Sequence, residues 1–125
     1  MVTQSELAQK LFHVLWIGGS PCAGKSTISH TIAQIYVFLD YHLDAWSSNH
    51  FARRVASGDT VARAFLEMSM DQRWVKRSVE VLVQEAITSW GGNFHLVIED
   101  LLALPTENFI IAEGNFFPES VAPYL

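Results

Sequence analysis

Basic residues are scarce in this chain, with eight Lys and Arg against thirteen Asp and Glu and a formal net charge of −5 over 125 residues. A nucleic-acid-binding surface needs a dense cationic face, so this balance argues against nucleic acid as a partner. Cysteine is scarcer still: Cys22 stands alone. It excludes an internal disulfide framework and fits a reducing compartment. No apolar run approaches the ~20 residues of a membrane span, and the N-terminus lacks the basic and then apolar pattern of a secretory leader. The five histidines (13, 30, 42, 50 and 95) show no His-x-x-x-His spacing and have no cysteine partners. A zinc site is therefore not expected. Repeats, low-complexity tracts and inter-domain linkers are also missing. Half of the residues are hydrophobic, enough for a real core. The expectation is one soluble, cytoplasmic domain over residues 1–125, with no membrane contact.

Against these absences, residues 14–27 stand out: Val-Leu-Trp-Ile-Gly-Gly-Ser-Pro-Cys-Ala-Gly-Lys-Ser-Thr. Gly19, Gly24, Lys25 and Ser26 satisfy G-x-x-x-x-G-K-[ST], the phosphate-binding loop pattern. Val14 to Ile17 suits a buried parallel strand, and Ile28, Ile32 and Ile35 suit the buried stripe of a following helix. The glycines let the backbone curl so that successive N–H groups face a polyphosphate. The helix N-terminus adds partial positive charge, Lys25 reaches the β/γ-phosphates, and the Ser26 hydroxyl can ligate Mg²⁺. Gly19, Ser20, Pro21, Cys22, Ala23, Gly24, Lys25, Ser26 and Thr27 are thus the nucleotide-binding candidates. Cys22 reads as a small filler of a variable loop position.

Around this loop, Thr3 and Glu6 have capping-box spacing before a short helix over about 3–12. Strand one falls near 13–18 and the loop helix near 25–36. A second strand lies within Val37–Leu43 and ends at Asp44-Ala45-Trp46. Residues 46–105 read as a helical insert. Gly58 ends one piece and Asp59 caps the next. A long helix over 71–90 carries Val75, Val79, Leu82, Val83, Ala86, Ile87 and Trp90 on one face, and another spans about 94–104 before Pro105. Phe109 to Ala112 forms a third buried strand, ending at Glu113-Gly114. Right-handed crossovers place three parallel strands in one sheet with helices on both faces.

Ligands in such sheets bind at the carboxyl ends of the strands. Three polar groups should meet there: the loop, Asp44 and Glu113. Glu113 can hold a metal-bound water, or else serve as a turn residue before Gly114. Asp44 can orient or deprotonate an acceptor hydroxyl, and reads equally well as the N-cap of the next helix. Asp40 competes for that role if strand two is short, with a solvated turn residue as the plainer reading. Arg53, Arg54 and His50 follow Asp44 on the first insert helix and are candidates for the second substrate. Arginine forks suit phosphate or carboxylate, although adjacent positions point about 100° apart. The tryptophans read as packing residues.

Together these stretches resemble the small-molecule and nucleoside/nucleotide kinases of the P-loop superfamily, which include adenylate, uridine, shikimate and gluconate kinases. The resemblance rests on residues 19–27, on Tyr41-His42-Leu43-Asp44 and on Ile110-Ile111-Ala112-Glu113-Gly114. Met68 to Trp74 and Glu99 to Pro105 look like a bacterial branch of these kinases. It implies a P-loop kinase-like sheet of order 2-3-1, an acceptor-binding insert between strands two and three, and ATP with Mg²⁺ as donor and metal. The implied activity is ATP-dependent phosphotransfer to a small-molecule or nucleoside/nucleotide acceptor. Lys25, Asp44 and Glu113 would be catalytic, with Ser26 and Glu113 on the metal side. The alternatives are a non-catalytic nucleotide-binding module and, further off, an NTPase switch. The family's fourth strand, arginine-bearing lid and fifth strand find no counterpart after Leu125. The chain is therefore expected to be the N-terminal part of the fold, or else a shortened relative that has lost half of its active site. The edge of strand one and the sheet face around Trp16 would be left open, so pairing with a missing C-terminal segment or with a second copy is expected, without turnover.

Overall fold

A computed structural model describes residues 2–19 and 23–125, with the side chains of 89–91 excepted. Ser20, Pro21, Cys22 and the Trp90 side chain, all singled out above, lie outside the described residues. The chain divides into two units, Met1–Asp44 with Phe94–Leu125, and Ala45–Asn93.

The first unit is built on a parallel three-stranded sheet: β1 (Val14–Ile17), β2 (Leu39–His42) and β3 (Ile110–Glu113). The order is β1-β3-β2, as the sequence reading expects. All four residues of β3 are buried, the pattern of a central parallel strand. The register aligns Ile17, Glu113 and His42 across the three strand ends. Gly114 extends the ladder by donating its N–H to the Ile17 carbonyl at 3.1 Å.

Strand alternation sends successive side chains to opposite faces. On one face α2 (Lys25–Tyr36) packs over β3 and β2. On the other lies α7 (Phe94–Ala103), tied to β2 where the Tyr41 hydroxyl donates to Asp100 Oδ2 at 2.8 Å. Trp16 faces the same side, 5.8 Å from the Phe94 ring and 5.3 Å from Phe116. The sheet face around Trp16, expected to be open, is partly covered by α7 and by the chain after β3, and Trp16 is half-buried. At the N-terminus, α1 (Gln4–Lys10) begins with the Thr3–Glu6 capping box and packs against a C-terminal 3₁₀ turn at Ala122–Tyr124, which follows the short α8 (Pro118–Val121).

The buried stripe of α2 differs from the expectation. Ser29 and Ala33 are its buried residues, whereas Ile28 and Ile35 are 53% and 65% exposed. At 100° per residue the isoleucine stripe lies roughly 100° round the helix from the Ser29–Ala33 face. The small pair faces the sheet. The helix ends at Val37, whose φ of 57° is a left-handed C-cap rather than the start of a strand.

The second unit holds most of α3 (Leu43–Ala56), α4 (Thr60–Glu67), α5 (Met70–Trp74) and α6 (Val79–Gly92). Asp59 caps α4, accepting from the Ala62 N–H at 3.0 Å. The expected helix over 71–90 is two helices. Arg73 turns back to donate to the carbonyls of Phe65 and Leu66, both at 2.9 Å, and Ser78 accepts from the Val81 N–H to start α6 afresh. Val75, Val79, Val83 and Ile87 are exposed, while Leu82 and Ala86 are half-buried. Phe51 stacks on Phe65 at 5.3 Å, and the Arg54 and Arg73 guanidinium groups cover these two rings. No helix among the described residues is long and apolar enough to cross a membrane.

Two substitutions probe this fold. A Cβ at Gly114 would stand 2.6 Å from the Leu43 Cβ, because the start of α3 lies directly against the end of β3. Gly114→Ala should therefore lower unfolding stability by about 1–3 kcal/mol, read as a fall in the urea midpoint. Val37→Gly should do the opposite, raising stability by about 1 kcal/mol, because a β-branched residue is strained in the left-handed region. An unchanged midpoint in either variant would contradict the backbone described here.

Candidate functional site

The site begins where β1 runs into Gly18 and Gly19. Gly19 (φ 142°) and Gly24 (φ 86°) both occupy backbone conformations that side chains with a Cβ rarely adopt. Gly24 is the N-cap of α2, so Lys25, Ser26 and Thr27 form the helix's first turn. The amide N–H groups of a first turn have no intrahelical acceptor and face outward from the helix end.

From that turn two side chains reach across to β3. The Lys25 ammonium lies 3.4 Å from Glu113 Oε1, and the Ser26 hydroxyl donates to the same oxygen at 3.2 Å. The second Glu113 oxygen, Oε2, is 2.9 Å from His42 Nδ1. On the far side of the imidazole, Nε2 is 2.8 Å from Asp40 Oδ2. The same Asp40 oxygen is 3.6 Å from His30 Nδ1 on α2. Glu113 is 3% exposed. Its desolvation is offset by two charge-assisted contacts and a hydroxyl, which a buried carboxylate requires.

Local sequence explains this convergence. Asp40 and His42 are two apart on a strand and share a face. His42 and Glu113 are register partners on neighbouring parallel strands. Ser26 and His30 are four apart on α2 and lie on one side of it. With a carboxylate at each ring nitrogen, the His42 ring satisfies both contacts only as the doubly protonated imidazolium. Burial alone lowers its pKa and is the largest single influence. The hydrogen bonds and attraction from Glu113 and Asp40 together outweigh it, leaving the pKa raised above the ordinary 6.5.

Of the residues expected at the strand ends, Lys25, Ser26 and Glu113 meet directly. Asp44 is exposed in the first turn of α3, two residues beyond the last residue of β2. His50, Arg53 and Arg54 belong to the second unit. There His50 is buried, with its ring 6.3 Å from Trp46, and Arg53 donates to Asn49 Oδ1 at 3.2 Å. Arg54 donates from Nε to Asp59 Oδ2 at 2.8 Å and lies over the Phe51 ring. Sequence reasoning missed His42, and it weighed Asp40 only as a competitor of Asp44 or a solvated turn residue, whereas Asp40 holds the far side of the His42 ring. The signal for His42 was the Asp40-x-His42 alternation on a strand, and its meaning depended on the register against β3. Among the described residues, no group of three or more His, Cys, Asp or Glu side chains is arranged to hold a metal by itself. No family model, curated protein or solved structure matches this chain.

The raised His42 pKa fixes the sign of a pH effect. Its stabilising contribution is fully present below the unfolded value of 6.5 and is lost as pH rises through the higher folded value. Between about pH 6 and about pH 9 the wild-type urea midpoint should therefore fall further than that of His42→Asn. Parallel pH profiles for the two proteins would show that the charged imidazole contributes nothing to the fold.

Proposed function

We propose that this chain is an ATP-dependent phosphotransferase of the P-loop kinase kind, acting on a small hydroxyl-bearing acceptor. The observation that carries the reading is the meeting of Lys25 and Ser26 with Glu113 at the ends of β1 and β3, beside two left-handed glycines. Phosphoryl transfer needs positioning and charge neutralisation more than covalent chemistry, and these residues supply both. The first-turn amides of α2 and the Lys25 ammonium bind the donor phosphates. The Ser26 hydroxyl and Glu113 carboxylate share a contact at 3.2 Å, and two hard oxygen donors of this kind would hold Mg²⁺. Mg²⁺ held there would supply charge neutralisation to the donor phosphates.

On the acceptor side, Asp44 follows the β2 end and is exposed in the first turn of α3. It accepts the proton of an acceptor hydroxyl as the new P–O bond forms, while the donor's terminal P–O bond breaks and ADP leaves.

Ligand-linked stability tests the reading. At a hundredfold excess over Kd, Mg-ATP should stabilise the protein by ~2.7 kcal/mol, on the order of 10 °C in Tm for a domain of this size. Lys25→Ala should abolish the shift while keeping helical circular dichroism, and Asp44→Asn should retain it. No shift with ATP, GTP or inorganic triphosphate on folded wild-type protein would overturn the proposal. Equal loss in both variants would remove Asp44 from the acceptor role.

A further inference from the structure

Glu113 divides its two oxygens between different partners, and the division has a consequence for anion binding. Oε1 takes Lys25 and Ser26, while Oε2 takes His42, which is braced from behind by Asp40. Lys25 is the very cation that a polyphosphate at the loop would recruit, so carboxylate and ligand compete for one ammonium. When Lys25 leaves, a carboxylate that is 3% exposed keeps His42 as its cationic contact among the described residues. A buried charge stripped of its partner is costly, and the new phosphate charge nearby adds repulsion. From the split hydrogen bonding of Glu113 we infer that His42, held by Asp40, is the positioning residue that lets Lys25 exchange from Glu113 to an incoming polyphosphate. Both ring nitrogens face carboxylates, so His42 acts as a fixed cationic strut and not as a base toward an acceptor hydroxyl.

This inference rests on the phosphate-site reading above, and a double-mutant cycle separates the two. The probe is inorganic triphosphate in the presence of a chelator, titrated calorimetrically at one fixed pH into wild type, His42→Asn, Glu113→Gln and the double variant. Asparagine can still place a donor near Oε2 but carries no charge. Glu113→Gln should tighten triphosphate binding, because the competitor for Lys25 is gone. His42→Asn should weaken it by about tenfold in the wild-type background, within the usual range of coupling between sites. In the Glu113→Gln background the same change should cost twofold or less. With that pH set below 6.5, the ordinary histidine value, the imidazolium persists in both backgrounds, so its direct attraction for the anion cancels in the cycle and the difference isolates the route through Glu113. Asp40→Asn, at a part-exposed position, should shift affinity in the same direction as His42→Asn and keeps the test available if the latter does not fold. Equal losses in both backgrounds, or weaker binding by Glu113→Gln, would overturn the role of His42 while leaving the phosphate site standing. No binding of triphosphate by folded wild-type protein would overturn both.

Discussion

A buried carboxylate at the end of the central strand is the constraint around which the first unit is arranged. Glu113 closes a strand whose other residues, Ile110, Ile111 and Ala112, are fully buried and apolar. A carboxylate there is tolerated only with partners, and its partners come from both neighbouring segments: Lys25 and Ser26 from α2, His42 from β2. Each partner in turn fixes an element. Holding Lys25 and Ser26 sets the first turn of α2 against the sheet, and holding His42 sets the register of β2. Gly114, where a Cβ would strike Leu43, brings the start of α3 to the same strand end.

Strand parity then sorts the rest of the unit. Asp40, His42 and Glu113 face α2, so that face is polar toward the strand ends. Tyr41 and Trp16 face the other way, toward Asp100 and Phe94 of α7. The two faces therefore have different characters: a charged relay under a closely packed helix on one side, and aromatic packing with one buried hydroxyl–carboxylate bond on the other. Ser29 and Ala33 permit the first arrangement because small side chains let the helix backbone approach the sheet.

The helical unit follows a different physical scheme. Its Phe51–Phe65 stack is flanked by Arg54 and Arg73, each placing a guanidinium over a ring and donating to a nearby oxygen. Planar, weakly hydrated guanidinium groups can do both at once, which ammonium groups cannot match. Arginines that look available for anions on a helical wheel thus hold helix ends and aromatic faces together. The Arg54–Asp59 pair does this at the turn where α3 gives way to α4.

Several features were legible in the residues alone because their causes are local. Capping at Thr3, Asp59 and the glycine turn at Gly58 depends on residues within a few positions, and so do the positive-φ backbones of Gly19 and Gly24. Crossover handedness placed the three strands in one parallel sheet, whereas their order was implied only by the resemblance to P-loop kinases. Other features depended on which face of an element meets another. The isoleucines of α2 form a good helical stripe, yet Ser29 and Ala33 face the sheet, because close helix–sheet approach rewards small residues and no periodicity reports that. The break between α5 and α6 arises from Arg73 reaching carbonyls seven and eight residues back, a contact invisible to a pattern count. His42 is the clearest case. By itself it is one histidine of five, and only the parallel register that sets it beside Glu113, with Asp40 two residues behind, makes it the brace of a buried charge. The sequence by itself determined the chemistry available at the strand ends. Tertiary structure decided which of those groups touch, because register and face are set by packing between segments far apart in the chain.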